Sequence, residues 1–330
     1  MFEQEAQAEM PTVWRGWVWE GGHSPLDLKA RAIAALPLSC GEVLVRNAAI
    51  GLNPVDWKVL DTQKGKVPGV DGAGVVVAVG PAVESCWLGA RVAYHQSLKA
   101  PGSFAEYTPV AAQVLMRLPD AMEFAQGAAF PCPALTAWQA LEKIPAQPGA
   151  PLLVSGAGGS VGHFLIQLAQ MRGFEVTAIA HDRHWSRLRA LGAAHCIADP
   201  LAHSPTLPAA LMQRYFAVID AVSPEHAAGL ADGLKANGHL VCIQGRVESW
   251  PCSPFGRALS LHEVALGALH IHGDSAQWQA LTQQGERMLM QIVQGAMQSE
   301  QLLHFSFNQL PQHLVALKNR DFSGKQVLVF

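Results

Sequence analysis

No CxxC pair and no dense cysteine framework occur in this 330-residue sequence; its six cysteines (Cys40, Cys86, Cys132, Cys196, Cys242, Cys252) lie far apart. A disulfide scaffold is therefore excluded, and most of these residues read as small buried apolar side chains. No Lys/Arg run occurs and the formal net charge is -3, so the footprint of a nucleic-acid binder, or of a protein held on an anionic membrane, is missing. No apolar stretch approaches the length of a membrane span. The first residues, MFEQEAQAEM, are acidic and have no apolar core, unlike a secretory signal or a transit peptide. The expectation is a cytoplasmic protein with neither nucleic acid nor membrane as partner. Internal repeats and low-complexity linkers are also missing.

What is present is the balance of a folded protein: half the residues are hydrophobic and 15% are charged, and the length suits two domains. From Thr12 to about Leu118 the chain runs in short β-type segments (TVWRGWVWE, EVLVRNAAI, GAGVVVAVG, ARVAYHQ, FAEYTPV) broken by Gly and Pro, which predicts a small barrel or partly open sheet. Near Ala121 the character changes. Apolar strands then alternate with helical stretches, from PLLVSGAGGSVG through FEVTAIAH, HCIAD and FAVIDAV to HLVCIQG, predicting a parallel sheet covered on both faces. EVALGALHIHG is a candidate sixth strand. A long helix over WQALTQQGERMLMQIVQG and the β-type ending KQVLVF suggest that the chain returns to its first domain. The fold class is α/β, with a β-rich domain over 1–124 and 276–330 and a doubly wound domain over 125–275.

The strongest local signal is Leu152, Leu153, Val154 and Ser155, then Gly156, Gly159 and Gly162, then the apolar helical run HFLIQLAQ. A dinucleotide pyrophosphate must approach backbone N–H groups at a helix N-terminus, and a side chain would block it. In this reading Gly156 permits the tight turn, Gly159 the close approach and Gly162 the packing of helix on strand, while Gly158, Ser160 and Val161 complete the cradle. The next strand ends Ile179, Ala180, His181, Asp182, Arg183, His184. The position at which an acidic residue would bind the ribose of NAD falls on Ala180 or His181. Arg183, with His181 or Arg187, could meet a 2′-phosphate, which favours NADPH over NADH. The other reading has Asp182 taking the ribose hydroxyls or capping the following helix.

With these motifs in place the chain resembles the medium-chain dehydrogenase/reductases, and within them the zinc-free quinone oxidoreductase-like group. The resemblance rests on GLNPVDWKV (51–59), PGVDGAGVV (68–76), GSFAEY (102–107), PALTAWQAL (133–141), VSGAGGSVG (154–162), LRALGA (188–193) and the ending GKQVLVF. It implies a GroES-like substrate domain, a Rossmann domain, a nicotinamide cofactor and a homodimer formed along an edge strand near EVALGALHIHG. Zinc-dependent relatives place a Cys where this chain has Asn53 and a His where it has Val70 or Asp71, and the four-cysteine lobe is missing between Val92 and Gly102. Neither zinc site can be assembled; of the remaining candidates His262, His270 and His272, the last two share one face of a presumed strand and have no third ligand at metal spacing.

Without a Lewis acid, the accessible chemistry is hydride transfer from NADPH to a quinone or an α,β-unsaturated carbonyl, whose conjugation spreads the developing charge. The resemblance puts Asn53 and Asp56 near the nicotinamide and Thr136 at that end of the cofactor. Lys58 and Tyr94 are the remaining catalytic candidates, either of which, or solvent, could supply the proton. Gly245 and Arg246, after the strand HLVCIQG, and Lys325 in the closing strand are candidate cofactor contacts. Plainer readings stand beside these: a turn for Asn53, a structural ion pair for Asp56, solvation for Lys58, core packing for Tyr94. Trp57 and Phe255 are candidate walls for a flat substrate. A non-catalytic NADPH-binding protein and a zinc alcohol dehydrogenase are the competing functions.

Overall fold

Runs of alternating apolar residues become strands as soon as each finds a hydrogen-bonding neighbour, and the computed structural model, which describes residues 11–320 and 322–330, arranges them in two compact units. One comprises Met1–Cys132 and Gly273–Phe330, the other Pro133–His272.

In the first unit β1 (Val13–Val18) and β2 (Lys29–Ala34) form an antiparallel ribbon. β2 is largely exposed, and its Lys29 and Arg31 are the charges expected on an unprotected edge. Then follow β3 (Glu42–Gly51), the short helix α1 (Pro54–Lys58), β4 (Asp71–Val79), β5 (Arg91–His95), β6 (Tyr107–Ala111) and β7 (Leu115–Arg117). β3 is the centre of this sheet. One of its edges pairs with β4, and the other with β6 over Glu42–Arg46. That central place explains why β3 is apolar on both faces. α2 (Phe124–Ala129) completes this stretch, and α3 (Pro131–Glu142) carries the chain onward.

The second unit is a six-stranded parallel sheet of β8 (Pro151–Val154), β9 (Glu175–Ile179), β10 (His195–Ile197), β11 (Tyr215–Asp220), β12 (Leu234–Cys242) and β13 (Ser260–Glu263), in the spatial order β10-β9-β8-β11-β12-β13. α4 (Ser160–Met171), α5 (Trp185–Ala190) and α6 (Pro224–Leu230) follow β8, β9 and β11. Leu153, Ile179, Val218, Leu230, Leu234 and Leu240 pack in one core cluster. The strand order reverses between β8 and β11. A crevice at the carboxyl ends of the strands at such a reversal is where doubly wound sheets bind ligands.

The sixth strand is not where the sequence suggested. β13 is the preceding segment, Ser260–Glu263, and Leu266–His272 within EVALGALHIHG is a helix, α7. Ala, Leu and Gly in a short apolar run carry no β-branched bias, so their alternation alone does not select a strand. His270 and His272 therefore lie on a helix rather than on a strand face.

The chain re-enters the first unit through α8 (Ser275–Val293), β14 (Leu302–Ser306), α9 (Leu310–Asn319) and β15 (Lys325–Val329). β15 pairs with β14 and with the Ala49–Gly51 end of β3. Its Leu328 joins Trp14, Trp19, Ile50, Phe104 and Leu310 in the core of this unit. Among the described residues, no helix is long and apolar enough to cross a membrane.

Candidate functional site

The glycine turn lies between β8 and α4 at the reversal of strand order. Gly156 has φ of +63°, in the left-handed region that favours glycine, and a Cβ there would lie 3.2 Å from the Ala221 carbonyl oxygen. Gly162 packs so closely that a Cβ would come within 2.3 Å of the Ala157 carbonyl oxygen. At Gly158 a Cβ would meet Cδ2 of His184 at 2.6 Å. Gly159 is different. It is exposed, its φ of -86° and ψ of 179° suit any residue, and a Cβ would find no protein atom nearer than 3.5 Å. Packing does not demand glycine there; an approaching ligand would. Gly159 is the N-cap of α4, whose first residues are Ser160 and Val161, so the space kept clear is at a helix N-terminus, where the dipole favours an anion. These residues fit a dinucleotide pyrophosphate.

Basic side chains surround the turn. The Arg187 guanidinium donates to the Gly158 carbonyl at 2.8 Å and sits 3.1 Å from Nδ1 of His163. Arg183 is exposed, and its Nε donates to Nε2 of His184 at 3.2 Å. Burial, with Arg187 and Arg183 nearby, holds the His184 imidazole below its ordinary pKa. His181 and Asp182 pair at 2.7 Å, both largely in solvent. Gly245 and Arg246 follow β12 and are exposed, Gly245 with φ of +104°. Because all six strands are parallel, the turn, the His181–Arg183 segment and Gly245–Arg246 share the carboxyl edge of the sheet. Thr136 is buried in α3.

The first unit gathers a second group of candidates around the start of α1. Asp56 caps that helix: one carboxylate oxygen accepts from the Asn53 backbone N–H at 2.7 Å and the other from the Val70 N–H at 3.1 Å. The Asn53 amide is held at both ends, since its Nδ2 donates to Asp71 at 2.8 Å and its Oδ1 accepts from the Lys325 ammonium at 2.6 Å. Asp71 also accepts the Cys132 N–H on both oxygens, at 3.1 and 3.0 Å. All four side chains are buried, and burial pushes the carboxyls of Asp56 and Asp71 up to about 7.

Residues 39–120 match the alcohol dehydrogenase GroES-like domain family. The chain is 32% identical over 263 residues to the NADPH-dependent alkenal/one oxidoreductase of Arabidopsis thaliana chloroplasts, a match covering 73% of this chain and 65% of that protein. It is 31% identical over 261 residues to the 2-methylene-furan-3-one reductase of Solanum lycopersicum, covering 74% of this chain and 66% of that one. The chain thus spans just under two thirds of these relatives. Its fold superposes, with a TM-score of 0.80 and 26% identity, on an alcohol dehydrogenase superfamily protein from Novosphingobium aromaticivorans, covering 97% of this chain and 100% of that one. Its homologues are quinone and enone oxidoreductases of the medium-chain dehydrogenase/reductase superfamily.

In this chain Asn53 and Asp71 are engaged with each other, and among the described residues no group of three His, Cys, Asp or Glu is placed to hold a metal ion. Tyr94 is fully buried and its hydroxyl donates to Asn47 at 2.7 Å, with burial raising its pKa. Of the two readings open for Tyr94, the geometry fits core packing. Lys58 ends α1 in an exposed position, its ammonium 5.9 Å from the Trp57 ring centroid, and burial of its stem with Arg320 nearby lowers its pKa. Lys318 approaches the same ring at 5.7 Å. Phe255 is fully exposed. Two residues escaped the sequence reading: Asp71 as the partner of Asn53, and Asp220 beside Ser155. The second follows from the register: β8 and β11 pair at Val154 and Ile219, which makes Ser155 and Asp220 neighbours.

Proposed function

We propose that this chain is an NADPH-dependent, zinc-independent reductase that transfers hydride to a quinone or an α,β-unsaturated carbonyl. The observation that carries the reading is Gly159: exposed, unstrained and unconstrained by packing, at the head of a helix at the point where the strand order reverses. The activities named for the Arabidopsis and Solanum relatives support the α,β-unsaturated carbonyl as acceptor.

When bound, the nicotinamide cofactor supplies the hydride. Ser160 and Val161 offer the helix N-terminus to the pyrophosphate, and Gly156, Gly158 and Gly162 set the turn. Arg183, with His181, would meet a 2′-phosphate; Arg246 and Gly245 would edge the cofactor, and Thr136 would face its nicotinamide end. In the first unit Asn53, braced by Asp71 and Lys325, and Asp56, fixing the start of α1, would support the substrate side of the nicotinamide. With Tyr94 buried on Asn47, the proton comes from Lys58 or solvent. A cytoplasmic homodimer is part of the proposal, with the edge strand β13 as the contact.

The test is titration of the protein with NADPH and NADH, followed by oxidation of bound coenzyme by 1,2-naphthoquinone, 9,10-phenanthrenequinone and a short enone in the presence of a chelator. Turnover unaffected by the chelator and faster with NADPH is expected. Tight NADPH binding with no turnover on any acceptor would replace the reductase by a binding protein.

A further inference from the structure

Across the reversal of strand order runs a chain of side chains that hydride transfer does not use. The buried Ser155 hydroxyl donates to Oδ2 of Asp220. The same oxygen lies 2.5 Å from Nδ1 of His226, while Oδ1 accepts the backbone N–H groups of Val222 at 2.9 Å and Ser223 at 3.0 Å. On its far side the His226 ring places Nε2 3.1 Å from Asp199, in the segment after β10. Asp220 is buried, whereas the Asp199 side chain is partly in solvent. One carboxylate thus fixes Ser155, the residue before Gly156, to the Ala221–Ser223 segment that backs Gly156.

A neutral imidazole carries one N–H and can satisfy one of its two carboxylates; the other then faces a lone pair. An imidazolium donates to both. We infer that His226 is a positioning residue whose protonated form braces the dinucleotide turn through Asp220 and Asp199, so that cofactor affinity falls as His226 deprotonates. The inference rests on the reading of the turn given above. Burial alone would lower the His226 pKa, but its hydrogen bonds to Asp220 and Asp199 outweigh this and hold it above the ordinary imidazole value. The brace is therefore complete in mild acid and lost as pH rises through that raised pKa. Other charges near α6 are turned elsewhere: Glu225 bonds Ser223, Asp232 pairs with Arg257 at 2.8 Å, and Lys235 on β12 is exposed.

The experiment measures NADPH dissociation constants by fluorescence from about pH 6 to about pH 9 for the wild type, His226→Gln and Asp199→Asn, with the His226 ring titration followed by NMR and identified by its loss in His226→Gln. The other groups around the turn and the 2′-phosphate are common to all three proteins, so the brace is read as a difference. Wild-type affinity should weaken about fivefold more over this range than that of His226→Gln, a modest coupling, and Asp199→Asn should lower the His226 titration midpoint and flatten the profile. Identical pH profiles, or a midpoint indifferent to Asp199→Asn, overturn the brace. If His226→Gln does not fold, Asp199→Asn, altered at a partly exposed carboxylate, carries the comparison. Absence of NADPH binding at every pH with a normal His226 titration overturns the reading of the turn, and the positioning role with it.

Discussion

Gly159 and Gly162 separate two reasons for a glycine, and substitution tells them apart. Gly162→Ala forces a methyl against the Ala157 carbonyl oxygen and should cost about 1–3 kcal/mol of stability, read as a lowered Tm. Gly159→Ala meets no protein atom within 3.5 Å. It should leave Tm almost unchanged yet weaken NADPH binding by about tenfold or more, because the methyl occupies the path of the pyrophosphate. An unchanged affinity would remove Gly159 from the cofactor site. The two arginines divide similarly. Arg183 is exposed, so Arg183→Ala should reduce the preference for NADPH over NADH by about tenfold while sparing NADH, whereas Arg187→Ala, which frees the Gly158 carbonyl, should weaken both coenzymes alike. Paired titrations with the two coenzymes check this. At this scale the sequence revealed the turn fully, because the three glycines and their flanking apolar runs are local. It concealed the Asn53–Asp71–Lys325 network, whose members are held together only by the completed sheet.

The short helix α1 shows how much one element depends on buried carboxyls. Asp56 satisfies the Asn53 amide at its start and the Val70 amide just before β4, and Asp56→Ala, which orphans both, should destabilise the protein by about 2 kcal/mol. Asp56 and Asp71 are both raised from 3.8 to about 7, so the folded chain holds protons that the unfolded chain has released. The stability from this source is full below about pH 4 and disappears as pH rises through about 7. Asp71→Asn should therefore lower Tm in acid but make its decline toward alkaline pH shallower; thermal scans across that range decide it, and a parallel decline would show that Asp71 does not titrate there. Elements with a strong period were legible in the sequence, among them β3, β4, β8 and α4. β2 was not, since its pattern KARAIA is mostly solvated and is a strand only because β1 pairs with it. α7 was misread because a short apolar run carries both periods at once.

For the whole molecule, the sequence motifs located both kinds of sheet but not their edges. Among the described residues β13 has a ladder partner on one side only, β12, and an unprotected edge invites pairing with a second copy. Light scattering after size exclusion should give twice the chain mass of 35.3 kDa. A Pro at Leu261, which removes a backbone donor from β13, should shift the protein toward monomer if the strand is the contact, and a monomeric wild type would reject this arrangement.

The Lys325 ammonium rests on an asparagine 272 residues earlier in the chain, and the strand it begins lies against β3. On the ribosome the two partners are separated by the synthesis of an entire parallel-sheet unit. The second unit, continuous from Pro133 to His272, can mature while the first still waits with one end of β3 uncovered. Maturation of the chain is thus inverted relative to its synthesis: the portion made first is finished last, and its exposed strand is the point at which a chaperone would be needed or aggregation would start.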